Sequence, residues 1–590
     1  MAQVRGAAAQ QPKRVATTHG MYRGNNILVS DVSLFEDIVN FRINDFGFLQ
    51  RRSGTATREV TPTGTCRAFY SDYIGSTLYT LMVVGGKVYE LDTSDGSTNE
   101  VATITDAETF VFKYGDKFYI LNGNEFYSYD GTTCTEVEGY IPKIFISAPP
   151  AGGGTAFEVI NNLTGKKRMT FSANGSATQY FLPEQSIDSV VEIYVNGVLT
   201  ADYSVTLLTG VVTFTVAPTS GTDNVEIQWD KDSTKDRSSV EDCRYGMIFG
   251  GQSDTYVFLY GNPNHPARRV WSELGDTIPR ADYFPALNFD DLGDGAEITA
   301  IVKQYDKQKI FFRDRAMFSN FEVIDTGVTT LNTFSAFNLN DSVGNLAPAQ
   351  ALIMENYVVT VDSGGLYLWK LETVNLVTNA VKFSEAVDFD ILNEDLSTAK
   401  VLLWKERSEL LIHLGDYVYI YNYKHKAWYR FKDLDIVKWD IVGGGLHYIN
   451  SDCDLVVLDS TKTSDGDTVI DAYVKSGWYN FSRTDLRKAA QGMLIDIDNV
   501  APTYFKVSVD TDIDGTVDED VYTKTFMTFQ SVDFANFSFS TAYFLDPFYF
   551  DYALYNFSYM RFKITADDLS KSLSLVGITL PYRYIGAYKE

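Results

Sequence analysis

Four cysteines in 590 residues, at positions 66, 134, 243 and 453, leave no CxxC pair and no framework of bridges. A chain of this length does not need disulfides, so they read as free thiols of a protein made in a cytoplasm. Histidine is nearly as scarce, with five residues. His19, His265, His413, His425 and His447 form no HExxH pair or other spaced metal set. His413 and His447 lie in strand-like stretches and read as core imidazoles. The chain contains no G-x-S-x-G elbow, P-loop or dinucleotide fingerprint. Positive charge is also in short supply. Fifty Lys and Arg stand against 77 Asp and Glu, a net charge of −27. A protein that grips nucleic acid needs a clustered basic footprint. Here basic residues gather in short runs, among them Arg5, Lys13 and Arg14 and the Arg51-Arg52 step. No run approaches the roughly 20 apolar residues of a membrane span. The best, "LYTLMVV", has the length of one buried strand. The opening "MAQVRGAAAQQPKRVATTHG" has charges but no apolar core, unlike a secretory signal. A soluble protein is expected.

Aromatic residues are abundant: 38 Tyr and 39 Phe, which suit pleated, half-buried sheet surfaces. Many sit in one recurring phrase, a short Tyr-rich strand running out into Asp, Asn, Gly or Thr. It reads "GKVYELDTSDG", "NEFYSYDGTT", "GGLYLWKLET" and "GDYVYIYNYKHKAWY". Around each copy, short strands and tight turns recur every 40 to 45 residues or so, the mark of a β-propeller blade. In "YGDKFYILNGNEFYSYDG", Gly115-Asp116 and Asn122-Gly123 predict two-residue hairpins. The phrase is then a blade's third strand, handing over to the fourth.

The chain reads as all-β: an irregular β-propeller of about seven blades, six to eight, carrying an inserted small β-sandwich and a C-terminal β-sandwich. Residues 1–25 have no periodicity and are expected to form a flexible arm. Residues 26–149 hold the first blades, and 239–475 hold "RYGMIFGG", "EITAIVKQYDKQKIFF", "NYVVTVDSGGLYLW", "AKVLLW" and "HYINSDCDLVVLD" with their neighbours. Closure by an N-terminal strand is expected from "NNILVS" or "DFGFLQRR". Between these parts, residues 150–238 open on the linker "APPAGGGT" and continue in strict alternation with an Asn196-Gly197 hairpin, a sandwich of some six strands. Residues 476–590 alternate in longer strands, as a second sandwich or jelly roll would.

One acidic loop carries possible chemistry. "VDTDIDGTVDED" places Asp510, Asp512 and Asp514 at alternating positions before Gly515, with Asp518 at the ninth position. Calcium takes six to eight hard oxygens, and D-x-D-x-D-G is how an EF-hand-type loop begins to supply them. The twelfth position, however, is Val521 rather than a bidentate Glu, and an acidic hairpin tip explains the same letters. No other cofactor is expected. Asp290-Asp291 in "NFDDLGDG" has the composition of a glycosidase acid pair or of a solvated loop. Trp271, Trp369, Trp404, Trp428 and Trp439 have the chemistry of sugar platforms but the spacing of blade packing. The regular WD or Kelch signatures of cellular scaffold propellers are missing.

"NNILVSDVSLFEDIVNFRINDFGFLQRRSGTA", with its L-x-R-R-x-G-T phrase at Leu49 to Thr55, resembles the opening of tail nozzle proteins of short-tailed bacteriophages, the tail hub or tail tubular B type. The insert, with V-N-G-V, D-Y and T-F-x-x-A-P landmarks, is similar to a small β module of many phage tail proteins. "ARRVWSELGDTIPRADYFP", "NFDDLGDGAEITAIVKQYDKQKIFFRDRAMF" and the closing "YMRFKITADDLSKSLSLVGITLPYRYIG" are similar to the family's central and final passages. The resemblance implies a structural, non-enzymatic virion protein located in the tail. It implies a ring, a homo-hexamer, that extends the DNA ejection channel below portal and adaptor and offers its outside to tail fibres. It assigns no catalytic residue. The alternative reading is a carbohydrate-binding or carbohydrate-degrading propeller, a depolymerase or receptor-binding protein.

Overall fold

The structure, a computed structural model, describes residues 11–24, 34–251, 253–325, 330–348, 350–370, 379–498, 503–513, 517–524 and 548–587. The fold is all-β, as expected. Among the described residues the α-helices are single turns, Ser238–Glu241 and Asp388–Ile391. The chain divides into two compact units: residues 1–61, 93–96 and 345–590, and residues 62–92 and 97–344.

The second unit holds four antiparallel four-stranded sheets, each with its strands in chain order. They span residues 66–103, 110–136, 245–291 and 300–340. Each of the first three shares a buried core with the next. Leu81, Val83 and Val88 of the first pack with Phe118, Ile120 and Tyr129 of the second. Leu121 and Phe126 of the second pack with Val257 and Leu259 of the third. Tyr260 joins Ile301, Ile310 and Phe312 of the fourth. A lone meander could not cover both its faces, and stacking solves the problem.

The first unit holds three more such sheets. Two span residues 352–382 and 400–432, and the third joins Lys438–Val442, Gly445–Ile449 and Leu455–Asp459 to Gly54–Arg58. The described residues thus contain seven blade-type sheets. The Tyr-rich phrases are third strands, as read: Lys87–Leu91, Phe126–Tyr129, Gly365–Trp369 and Tyr417–Asn422. An N-terminal strand does complete the last sheet, but neither predicted segment supplies it. "NNILVS" lies outside the described residues. "DFGFLQRR" contributes Leu49–Arg51, which pairs with Phe41–Ile43 and with the chain's last strand, Ser574–Ala587. The completing strand is the next one along.

The insert begins at Lys143, a few residues before the predicted boundary, and ends at Asp230. It has nine strands rather than six, two of them only two residues long. A six-stranded and a three-stranded sheet enclose a core of Met169, Phe171, Tyr180, Ile193, Val212, Ile227 and Trp229. Asn196 and Gly197 form the two-residue hairpin as expected, both at positive φ (49° and 76°). Gly115-Asp116 does the same between Tyr114 and Lys117, with Gly115 at φ 59°. Asn122-Gly123 does not. The connection from Leu121 to Phe126 has four residues, with Asn122 Oδ1 accepting the N–H groups of Asn124 and Glu125.

The C-terminal strands do not pair among themselves alone. One sheet joins Phe41–Ile43, Leu49–Arg51, Ser574–Ala587, Leu486–Ile497 and Phe548–Phe557. In the other, Phe35–Val39 lies between Ala427–Lys432 and Ala472–Ser476, so the blade at 400–432 continues into Met560–Ala566, Thr503–Thr511 and Val517–Lys524. The expectation of a flexible arm at 1–25 is corrected for its described part. Gln11–Val15 pairs antiparallel with Tyr582 to Ile578, and Val15 is buried.

Candidate functional site

The acidic loop is the first place to look. Asp510 Oδ2 accepts from Arg561 Nε at 2.8 Å. Asp512 Oδ1 accepts the backbone N–H of Ser558 at 2.7 Å and of Tyr559 at 3.0 Å, and its Oδ2 lies 3.8 Å from Arg487 Nη1. Asp514 lies outside the described residues, and Asp518 belongs to the strand Val517–Lys524. Asp510 and Asp512 therefore face donors of the protein itself. Among the described residues no group of three His, Cys, Asp or Glu is placed to hold a metal.

The acid pair is held in the same way. Asp290 binds Arg269 through both oxygens at 2.7 Å, and Asp291 binds Arg268 through both at 2.8 Å. Hydrogen bonding to Arg268 holds the Asp291 carboxyl below its usual range, whereas a glycosidase general acid needs a raised pKa. Arg269 is wholly buried and also donates to Ser319 Oγ and the Phe334 carbonyl, tying the third sheet of its unit to the fourth. Trp369, Trp404 and Trp428 are buried, and Trp271 and Trp439 are half-buried. Trp428 stacks on Phe383 with ring centres 5.7 Å apart. These placements are those of packing residues.

A cluster of buried arginines lies where the sequence offers only a short basic run. Arg51 is 2% exposed. Its Nη1 donates to the carbonyls of Asp568 and Lys571 (2.8 and 2.6 Å) and its Nη2 to that of Ile470 at 2.9 Å. Carbonyls carry only partial charge, so burial and then the neighbouring Arg52 charge push its pKa down to about 10. Arg52 is as deeply buried but differently matched, with two hydrogen bonds to Asp465 and one to Asn40 Oδ1. Two residues along, Gly54 runs so close to the Ser464 backbone that any Cβ would collide with it. Arg42 reaches across to Glu409 at 2.5 Å, and Glu409, wholly buried, also accepts from Tyr429 Oη at 2.7 Å. The sequence signal for this junction is the pair of adjacent cations: the strand Leu49–Arg51 ends on the first, the second follows it directly, and both are buried.

Comparison with known proteins adds little. No protein-family model matches the chain, and no curated protein matches it. Solved structures include three β-rich chains to which parts of this one are similar. YCF48 from Cyanidioschyzon merolae is 10% identical over 69% of this chain and 99% of its own, with a TM-score of 0.25. Hsv2 from Kluyveromyces lactis is 9% identical over 63% and 98%, with a TM-score of 0.23. An exo-β-1,3-galactanase from Phanerochaete chrysosporium is 10% identical over 83% and 97%, with a TM-score of 0.17. Scores this low carry neither a family nor an activity to this chain.

Proposed function

We propose that the chain is a structural component of a phage virion, a tail nozzle or hub, and not an enzyme. In this reading identical copies form a ring that extends the DNA ejection channel below the portal and adaptor and gives tail fibres a place to attach. The observation that supports it is the junction at Arg51. Two of the phrases that resemble nozzle proteins lie far apart in the sequence, yet they meet. Leu49 pairs with Leu575 and Gln50 with Ser574, while Arg51 grips the carbonyls of Asp568 and Lys571. Leu49 and Thr55 are buried, and Gly54 admits no side chain. A construction part needs distant segments of its chain locked into one sheet, and such a lock explains why these letters belong together.

The acidic surplus fits the same use. A wall that repels phosphate lets a polyanion pass without forming attractive contacts. Purified protein, alone and mixed with portal, adaptor and fibre proteins, is to be imaged by negative-stain microscopy. Rings of identical copies are expected. A chain that stays monomeric in every mixture overturns the reading, and release of reducing sugar from capsule or lipopolysaccharide would favour a depolymerase instead.

A further inference from the structure

We propose that a cleft in the first unit, beside the Arg51-Arg52 step, binds a phosphoryl group, either inorganic phosphate or the phosphate of a small phosphorylated molecule. The cleft encloses about 410 Å³, within the size range of small-molecule sites. Five cations line it, Arg42, Arg51, Arg52, Arg407 and Lys462, against one acid, Asp498. In a chain of net charge −27 this runs against the composition.

The cations are unequally balanced. Arg42 has Glu409 and Arg52 has Asp465. Arg51 has only carbonyls, and Arg407 and Lys462 have no ion pair among the described residues. Arg42 and Arg407 lie against the same ring, their guanidinium carbons 5.3 and 5.5 Å from the centre of Trp404. Two like charges are thus held close together. Arg407 is exposed as a residue, yet its pKa is lowered, by desolvation first and by the Arg42 charge second. An anion entering the cleft relieves both.

Three residues of the cleft wall also carry donors that are buried without a partner among the described residues, behind its surface. The Nε atoms of Arg42 and Arg51, on residues 7% and 2% exposed, are buried with no hydrogen-bond partner among the described residues. The buried hydroxyl of Ser574, which also lines the cleft, is in the same state. Leaving such groups unmatched is costly, and buried donors are matched in the great majority of cases. Guanidinium forks and hydroxyls together suit a tetrahedral oxyanion carrying more than one charge at neutral pH better than a carboxylate carrying one.

The test is calorimetric titration of the full chain with inorganic phosphate, adenosine monophosphate and acetate. Phosphate binding is expected, with acetate at least tenfold weaker. Arg407→Gln and Lys462→Gln, chosen because neither side chain is in an ion pair, are each expected to weaken phosphate roughly tenfold, the loss of about one charged contact. Lys231→Gln, just beyond the insert in the second unit, leaves it unchanged. Tighter binding of the nucleotide than of phosphate identifies a phosphorylated molecule as the occupant, and equal binding identifies the bare ion. Absence of heat at millimolar phosphate, acetate binding as tight as phosphate, or full binding by the Arg407→Gln/Lys462→Gln double variant overturns the proposal.

Discussion

Asp37 shows how a single acidic residue can hold distant segments together. Both its oxygens take hydrogen bonds from Arg430 (3.0 and 2.7 Å), and Tyr473 Oη adds a third at 2.9 Å. Arg430 also reaches Asp390, which Arg23 holds from the other side. One network thereby joins an N-terminal strand, a blade strand, a helical turn and a C-terminal strand. The desolvation cost of a buried pair is tolerable only while each charge keeps its partner. Asp37→Ala is expected to lower stability by about 3–5 kcal/mol, read from urea unfolding midpoints. Adding Arg430→Met should recover part of the loss, since the stranded cation is then gone as well. No recovery would mean that the network acts through Tyr473 and packing. His413 offers a second test at this scale. Burial, and then the charge of Lys400, pushes its pKa down to about 4, against a weak opposing pull from Asp435. The folded state then binds its proton less readily than the unfolded chain, so stability is full above about pH 6.5 and declines as pH falls toward 4. His413→Gln is expected to flatten that part of the curve. An unchanged slope in the variant would remove His413 from the acid response.

At the scale of elements, three strands of most blade-type sheets are legible in the sequence because they are consecutive, alternating and joined by tight turns. The fourth strands often are not. Phe289–Asp291, Ala336–Asn340 and Ala380–Lys382 follow long connections, and the first and last have only three residues. Gly54–Arg58, "GTATR", has no apolar residue larger than alanine and is a strand only because Leu455–Asp459 presents an edge for it to pair with. Likewise Gln11–Val15 reads as a basic, structureless arm until Ser574–Ala587 is there to receive it. The buried arginines were visible as letters, but their roles were not, since a carbonyl acceptor leaves no mark in a sequence. The completing strand gives a direct test. Gly54 has its N–H on the Lys462 carbonyl at 2.8 Å, and a side chain there must push the Ser464 backbone away. Gly54→Ala is expected to cost about 1–3 kcal/mol as overpacking. Gly115→Ala, where the space is open and only the positive φ of 59° resists, should cost about 1–2 kcal/mol. If Gly54→Ala is harmless in urea unfolding, the strand is not seated as described.

At the scale of the whole molecule, charge sets a condition that the proposed ring must meet. Each copy carries −27, and many of its acids are already paired internally with the arginines and lysines that could otherwise have met a neighbour's acids. Copies brought together therefore repel over the Debye length, about 30 Å at 0.01 M salt and about 8 Å at 0.15 M. Contacts strong enough to hold a ring must come from apolar and hydrogen-bonded surface, with charge working against them. Association is accordingly expected to strengthen as salt rises over this range, with sedimentation velocity showing a larger assembled fraction at 0.15 M than at 0.01 M. The opposite trend would mean that opposite charges meet across the interface. Cations that have no ion pair among the described residues, Arg407 and Lys462 for example, would then be the first place to look for the contact, and Arg407→Gln would lower the assembled fraction at low salt.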